Sequence, residues 1–337
     1  MKLRPIKTEK FYIGKTPCVL YGTKRDKLFV CVHGLCGNKE EAERFAKVAL
    51  YGGYQVLAVD LPEHGERKDD VKLVPWEAID ELKAVMDYAV KKWRVSVRAV
   101  SIGAYYALMS FCGYDIEKCL FVSPLVDMCD MIEGMLKAAG ADIKQLERDK
   151  NILFNGQNIS WRYYCFAQDN PPKKISADTS ILCSDTDYVV NIETVKKFAE
   201  ENDIDITFMA GGEHFFHTEK QIDFLERWEC EKLFDKDNLD ELKEGLNNET
   251  AEKQKILDEF MCNINRLHTT ALSEERIKSN LKLNCDPLEY CKKLISGEID
   301  AEFNGKNINF ISGDVCITVN RSAYSVITAK NKRRYIK

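Results

Sequence analysis

Short apolar runs, each closed by a turn residue and followed by a helical pattern, fill the first two thirds of the chain. Leu28-Phe29-Val30-Cys31-Val32, Tyr54–Val59, Val95–Val100, Cys119-Leu120-Phe121-Val122 and Ser180-Ile181-Leu182-Cys183 are such runs. A run without polar alternation is what a strand buried on both faces requires. Between the runs the period changes. Within about Pro75–Lys92, for example, Ile79, Leu82, Val85, Met86 and Ala89 fall on one helix face. Strands alternating with helices predict an α/β fold, a mostly parallel sheet with helices on both faces.

One of these junctions is chemically distinctive. The run ending at Val100 meets Ser101-Ile102-Gly103-Ala104, and a helical pattern begins at once. A strand, a sharp turn and a helix with serine at the apex would lift the hydroxyl above the sheet edge. It would also aim the next N–H at the oxygen of whatever the hydroxyl attacks. The usual pattern is G-x-S-x-G, and here Ala99 stands for the first glycine. Serine is also a favoured helix N-cap, so this stretch decides nothing alone.

The other junctions supply partners. His33-Gly34-Leu35-Cys36-Gly37-Asn38 follows the first buried run, before a helix over about Lys39–Leu50. Asp60-Leu61-Pro62-Glu63-His64-Gly65-Glu66-Arg67 follows the second. Ser184-Asp185-Thr186-Asp187-Tyr188-Val189-Val190 leads to a helix near Ile192–Glu201 and a strand Ile204–Met209. Gly211-Gly212-Glu213-His214-Phe215-Phe216-His217 then opens a helix running to about Leu233. A nucleophilic serine needs a base, an orienting acid and an oxyanion hole. His214 can take the Ser101 proton, and Asp187 can hold the imidazole. The Leu35 and Ile102 N–H groups can face the oxyanion. All four lie at C-terminal strand ends, where open α/β sheets build their sites.

Each candidate has a rival. Asp185 lies two positions from Asp187, and the spacing to Val189 favours Asp187. His217, about a turn into the expected helix, reads as structural. His33 and His64 read as loop supports, and Cys36 as a small packing residue.

Residues 9–234 resemble the α/β-hydrolase superfamily, in particular its compact bacterial lid-bearing esterase-like members. The matching residues are His33-Gly34, Leu61-Pro62-Glu63-His64-Gly65, Ser101, Asp187 with Val189-Val190, and Gly212-Glu213-His214, in the order Ser, Asp, His found in that fold. The resemblance implies cleavage of a carboxylic ester through an acyl-enzyme on Ser101. A thioesterase or serine peptidase would use the same triad. The competing reading is an inactive scaffold whose C-terminal domain binds a partner. No cofactor or metal is implied, and the substrate would be a small acyl compound.

Between Ser123 and Ala177 the alternation stops. Helical stretches near Val126–Ala139 and Asp142–Lys150 and the aromatic Trp161–Phe166 are expected to form a lid, about 124–177, with the aromatics packing inside it. Residues 1–234 thus read as the hydrolase domain and the highly charged 235–250 as a linker. Residues 251–337 read as a small α+β domain. There Ile256, Leu257, Phe260, Met261, Ile264 and Leu267 make a core stripe. Asp286-Pro287 starts a helix and Gly297 ends it. Four strands follow: Ile299–Phe303, Ile308–Ile311, Val315–Val319 and Ala323–Ala329. Asn304-Gly305 and Ser312-Gly313-Asp314 serve as turns. This part resembles a small bacterial domain family of unknown function, which implies no activity; His268 stands alone.

The formal net charge of −5 gives no hint of a nucleic-acid partner. No run reaches membrane-span length, and Met1–Pro5 lacks a signal-peptide segment. The 13 cysteines are odd in number, scattered and without a Cys-x-x-Cys pair. Cys31, Cys119 and Cys183 read as small core residues in a reducing compartment, so the expected location is cytoplasmic.

Overall fold

The apolar runs form the centre of an eight-stranded sheet in the order β1-β2-β4-β3-β5-β6-β9-β10. These strands are β1 (Thr8–Ile13), β2 (Thr16–Tyr21), β3 (Lys27–Val32), β4 (Tyr54–Val59), β5 (Arg94–Val100), β6 (Ile116–Val122), β9 (Asp178–Ser184) and β10 (Asp205–Met209). The computed structural model describes residues 6–234, 255–297, 300–304 and 306–331. The chain divides into two compact units, one within Pro5–Leu239 and one within Asp240–Lys337.

In the first unit β1 and β2 are an antiparallel hairpin added to a parallel sheet that runs from β4 to β10. The strand order reverses between β3 and β5. Their C-terminal ends therefore flank the crevice that such reversals create, and those ends carry His33 and Ser101. Alternate residues of β3 point to opposite faces. Leu28, Val30 and Val32 enter one core, with α2 (Pro75–Val90), α3 (Ile102–Phe111) and α7 (Ile192–Glu201). Phe29 and Cys31 enter the other, with α1 (Ala42–Tyr51) and α8 (Glu219–Leu233). Arg98 of β5 breaks the apolar rule on that second face. Its guanidinium lies 5.0 Å from the Phe45 ring centre, and its Nε donates to Glu229 Oε1 of α8 at 2.6 Å.

The segment between β6 and β9 holds α4 (Met128–Ala138), α5 (Ile143–Asp149), the hairpin β7 (Asn151–Phe154) and β8 (Gln157–Ser160), and α6 (Trp161–Asp169). Asp127, Asp142 and Ser160 cap the three helices by accepting first-turn N–H groups. The hairpin is absent from the sequence reading. Its turn is Asn155-Gly156, both with positive φ, 47° and 77°, the dipeptide that a two-residue hairpin favours. The aromatics of α6 pack only in part within the insertion as expected; Tyr163 and Phe166 instead stand edge-on to Trp76 of α2. Trp161 stacks on Tyr164 with ring centres 5.7 Å apart, and the Tyr163 and Tyr106 hydroxyls meet at 2.7 Å.

In the second unit β11 (Asp300–Asn304), β12 (Asn307–Ser312), β13 (Val315–Asn320) and β14 (Ser325–Asn331) form an antiparallel meander. Helices α9 (255–262), α10 (Ala271–Leu281) and α11 (Pro287–Ile295) supply the rest of its core. Ile308, Phe310, Ile317 and Val319 share one sheet face, and Phe260 stacks on Tyr324 at 5.1 Å. Sequence reading omits α10 because only Ile277 on it is buried. The expected linker 235–250 and the turn residue Gly305 lie outside the described residues.

Candidate active site

Ser101 sits between the last residue of β5 and the first of α3, with φ 52° and ψ −123°. A non-glycine residue there is strained by about 1–3 kcal/mol and needs its surroundings to hold it. Its N–H bonds the Val122 carbonyl of β6 at 3.0 Å, which anchors the strand side. Its carbonyl accepts from the N–H groups of Ala104 and Leu125 at 3.0 and 3.1 Å, which anchors the helix side. Gly103 is required by space: a Cβ there would lie 2.3 Å from the His33 carbonyl oxygen. Ala99 is fully buried in the core beneath the sheet, so the departure from glycine leaves the turn intact.

The candidate base and acid arrive from the strands beyond β6. His214 follows β10 and Asp187 follows β9. His214 Nε2 is 2.9 Å from Ser101 Oγ, and His214 Nδ1 is 2.7 Å from Asp187 Oδ2. A carboxylate only accepts, so in the neutral imidazole Nδ1 carries the proton and Nε2 is left to accept from the serine. Asp187 Oδ1 in turn accepts from the N–H groups of Val189 and Val190 at 2.8 and 3.1 Å. Both side chains are almost wholly buried, at 1% and 0% exposure for His214 and Asp187. Asp185 has a different task. Its Oδ1 accepts from the Gly211 N–H at 2.7 Å, tying the turn ahead of His214.

That turn is held from below as well. Ser123 Oγ donates to the His214 carbonyl at 3.0 Å, and the hydroxyls of Ser184 and Thr186 both donate to the Gly212 carbonyl. His217 stands apart from the site. It precedes α8 rather than lying a turn inside it, because Thr218 and Gln221 form a capping box that starts the helix at Glu219. Its Nδ1 is 3.3 Å from the Glu213 carboxylate.

On the opposite flank, His33 Nε2 accepts from the Leu61 N–H at 3.1 Å. The proton is therefore on Nδ1, which donates to the Gly34 carbonyl at 2.7 Å. Burial pushes the His33 imidazolium down to a pKa of about 4, so the ring is neutral at pH 7. His64 Nδ1 bonds the Pro62 carbonyl at 2.8 Å. Both histidines bind loops, as their sequence context suggested. Gly34 touches the serine side, since a Cβ there would lie 3.4 Å from Ser101 Cβ. Ile102, first residue of α3, has an N–H with no partner inside the helix. The Leu35 N–H donates to nothing among the described residues.

A buried ion cluster that sequence reading missed fixes the loops around His33 and His64. Lys39 Nζ, 1% exposed, contacts Asp60 Oδ2 and Glu66 Oε1, each at 2.7 Å. The N–H groups of Lys39 and Glu66 also bond the Asp60 carboxylate, at 2.8 and 3.0 Å. Burial alone would push the Asp60 carboxyl up, but the Glu66 N–H and the Lys39 ammonium hold it below the usual carboxylate range. Gly65, at φ 56°, passes so close that a Cβ would strike this carboxylate. The one sequence signal was an aspartate directly after an apolar run.

Comparison with solved structures places this topology. Est1E from Butyrivibrio proteoclasticus, solved with ferulic acid bound, is 16% identical, with 67% of this chain and 97% of that chain covered at TM-score 0.55. Alpha/beta hydrolase domain-containing protein 10 from mouse is 12% identical, with 71% and 99% covered at TM-score 0.53. A soluble variant of monoglyceride lipase from Saccharomyces cerevisiae, in complex with a substrate analogue, is 12% identical, with 69% and 98% covered at TM-score 0.50. The first unit has the α/β-hydrolase fold. In the second, residues 261–330 match the family described as protein of unknown function (DUF3781). No curated protein matches the chain.

The hydrolase-fold unit has a cleft of about 410 Å³ between α4 and residues 187–191. Leu125 and Asp187 line it, and each is one hydrogen bond from a member of the Ser101–His214 pair. The cysteines Cys31, Cys119 and Cys183 are core residues, and burial pushes each thiol up to about 12. Among the described residues no group of three or more His, Cys, Asp or Glu is disposed to hold a metal ion. No helix among them is long and apolar enough to cross a membrane.

Proposed function

We propose that the first unit is a serine hydrolase that cleaves carboxylic esters through an acyl-enzyme on Ser101. The observation that carries this reading is the hydrogen-bonded chain Ser101–His214–Asp187 on a strained strand-to-helix turn. Ser101 Oγ attacks the ester carbonyl while His214 Nε2 takes its proton. The C=O π pair moves to oxygen, and the N–H groups of Leu35 and Ile102 stabilise that charge. When the carbonyl reforms, the C–O bond to the alcohol breaks and His214 returns the proton to the leaving oxygen. Water then repeats the cycle on the acyl-enzyme, releasing the acid and restoring Ser101. Asp187 keeps Nδ1 protonated and stabilises the imidazolium formed in each half-reaction.

The same machinery would accept a thioester or an activated amide. Ester is preferred because one fold neighbour is a monoglyceride lipase and another holds ferulic acid. The segment 124–177 serves as the lid. The cytoplasm is the proposed location, in keeping with 13 cysteines that are all free of disulfides, five of them buried.

Labelling by a fluorophosphonate probe tests the reading. Wild type is expected to be labelled and to release p-nitrophenol from p-nitrophenyl acetate, and Ser101→Ala to do neither while keeping its circular dichroism spectrum. A folded wild type that reacts with neither reagent would overturn the mechanism in favour of an inactive scaffold.

A further inference from the structure

Helix α4 carries two apolar stripes where core packing needs one. Met128, Ile132 and Leu136 are buried in the core. Met131, Gly134, Met135 and Ala138, at helical spacing one position round, line the cleft, and Met131 and Met135 also pack against that core. The facing wall is Tyr188, Val189 and Val190, directly after the acid Asp187. At about 410 Å³ the cleft is in the size range of small-molecule sites.

Its position relative to the site is fixed by hydrogen bonds. Leu125, at one end, donates its N–H to the Ser101 carbonyl, and Asp187 holds His214. The surface beside the triad is apolar too. Leu35, Tyr188 and Phe215 are exposed at 43%, 74% and 57%, and each adjoins a proposed site residue or belongs to the oxyanion pair. The Phe215 ring stands edge-on to His214 with centres 4.8 Å apart. Exposed apolar side chains gathered at one place mark an interaction site rather than a solvated surface. Unbranched methionines suit a wall that must adapt to its ligand.

We propose that this cleft holds the acyl arm of the ester, and that the arm is apolar and carries no negative charge. The inference rests on the serine-hydrolase reading above. A negative charge is disfavoured by Asp130, which lines the cleft. Its carboxylate accepts from Thr194 Oγ1 at 2.8 Å and from Asn191 Nδ2 at 3.5 Å, both neutral donors, so it repels an acyl arm ending in a carboxylate. Gly134 is the specificity-determining position. A Cβ added there meets nothing within 4 Å, so a side chain at 134 grows into the open cleft without backbone strain.

The test compares kcat/KM for p-nitrophenyl acetate, butyrate, octanoate and hemisuccinate in wild type, Gly134→Ala and Gly134→Phe. Replacing a helical glycine favours the fold, so the variants remain folded. Wild type is expected to prefer octanoate over acetate by about tenfold or more, the scale on which apolar pockets discriminate. Gly134→Phe should lower that ratio by about tenfold, Gly134→Ala by less, and hemisuccinate should be the poorest substrate. If wild type turns over esters and Ser101 is labelled, but the ratio is the same in all three proteins, the cleft assignment is wrong and the hydrolase reading stands. If wild type neither turns over esters nor is labelled, the hydrolase reading fails and the cleft assignment with it.

Discussion

The two units differ most in what they bury. The hydrolase-fold unit hides His33, Lys39, Asp60, Ser101, Ser123, Ser184 and His214 at the C-terminal ends of its strands. Among the described residues of the DUF3781 unit no polar or charged side chain is buried; its core is Phe260, Ile277, Ile295, Phe310, Ile317 and their neighbours. Burying a polar group costs free energy unless every partner is supplied. A fold that keeps so many has a use for them beyond cohesion. A sheet and three helices with an apolar core need only cohere, and such a core says nothing about a ligand. The buried polar groups that call for an explanation beyond cohesion therefore lie in the first unit.

The sharpest way to break that contrast is to remove one triad member. Asp187→Asn is expected to lower ester kcat roughly 10⁴-fold, because the amide leaves His214 in the wrong tautomer. Steady-state kinetics checks it, and a loss under tenfold would return Asp187 to a structural role. The next largest effect tests whether the buried charges are satisfied as a group. Lys39→Met strands the Asp60 carboxylate and is expected to cost about 3–5 kcal/mol of stability in a urea titration. A cost below about 1 kcal/mol would mean that the two backbone N–H donors suffice.

Phe260→Ala probes the other side of the comparison. It should destabilise the second unit by about 3–4 kcal/mol, seen as an earlier unfolding transition, and leave ester turnover unchanged. A matching loss of kcat would show that the first unit depends on the second. The smallest expected effect is a pH dependence. His33 has a folded pKa of about 4 against an ordinary 6.5, so the unfolded chain binds the extra proton first. Stability contributed by the neutral ring is complete above pH 6.5 and is lost as pH falls from about 6.5 to 4, by up to ~3 kcal/mol. Melting temperatures across that range check it, and a flat profile would mean that the ring is not confined as described.

Elements set by local pattern were legible in the sequence. The sheet strands, the turn at Ser101 and the capped helix at Asp286-Pro287 follow from neighbours a few residues apart. The choice of Asp187 over Asp185 also rested on near neighbours, and those neighbours, Val189 and Val190, donate to its carboxylate. Contacts across long separations were not legible. Lys39 reads as an ordinary helix-start lysine until β4 brings Asp60 to it. Arg98 pairs with Glu229, 131 residues later. Ser123 supports the His214 carbonyl from 91 residues away, and nothing in the residues around it signals that role. The hairpin at Asn155-Gly156 is a different omission: its turn was readable, but its strands, at four residues each, show too short an alternation to register.

The segment leaving β6 is pinned three times before α4 begins. Ser123 donates its N–H to the Leu182 carbonyl and its hydroxyl to the His214 carbonyl, and Leu125 donates its N–H to the Ser101 carbonyl. Everything that follows, from Met128 to β9, grows from a root riveted to Ser101 and to His214. Exchange, shortening or swinging of the insertion therefore has to happen downstream of that root. The chain can change what surrounds the candidate site while Ser101 and His214 keep their places.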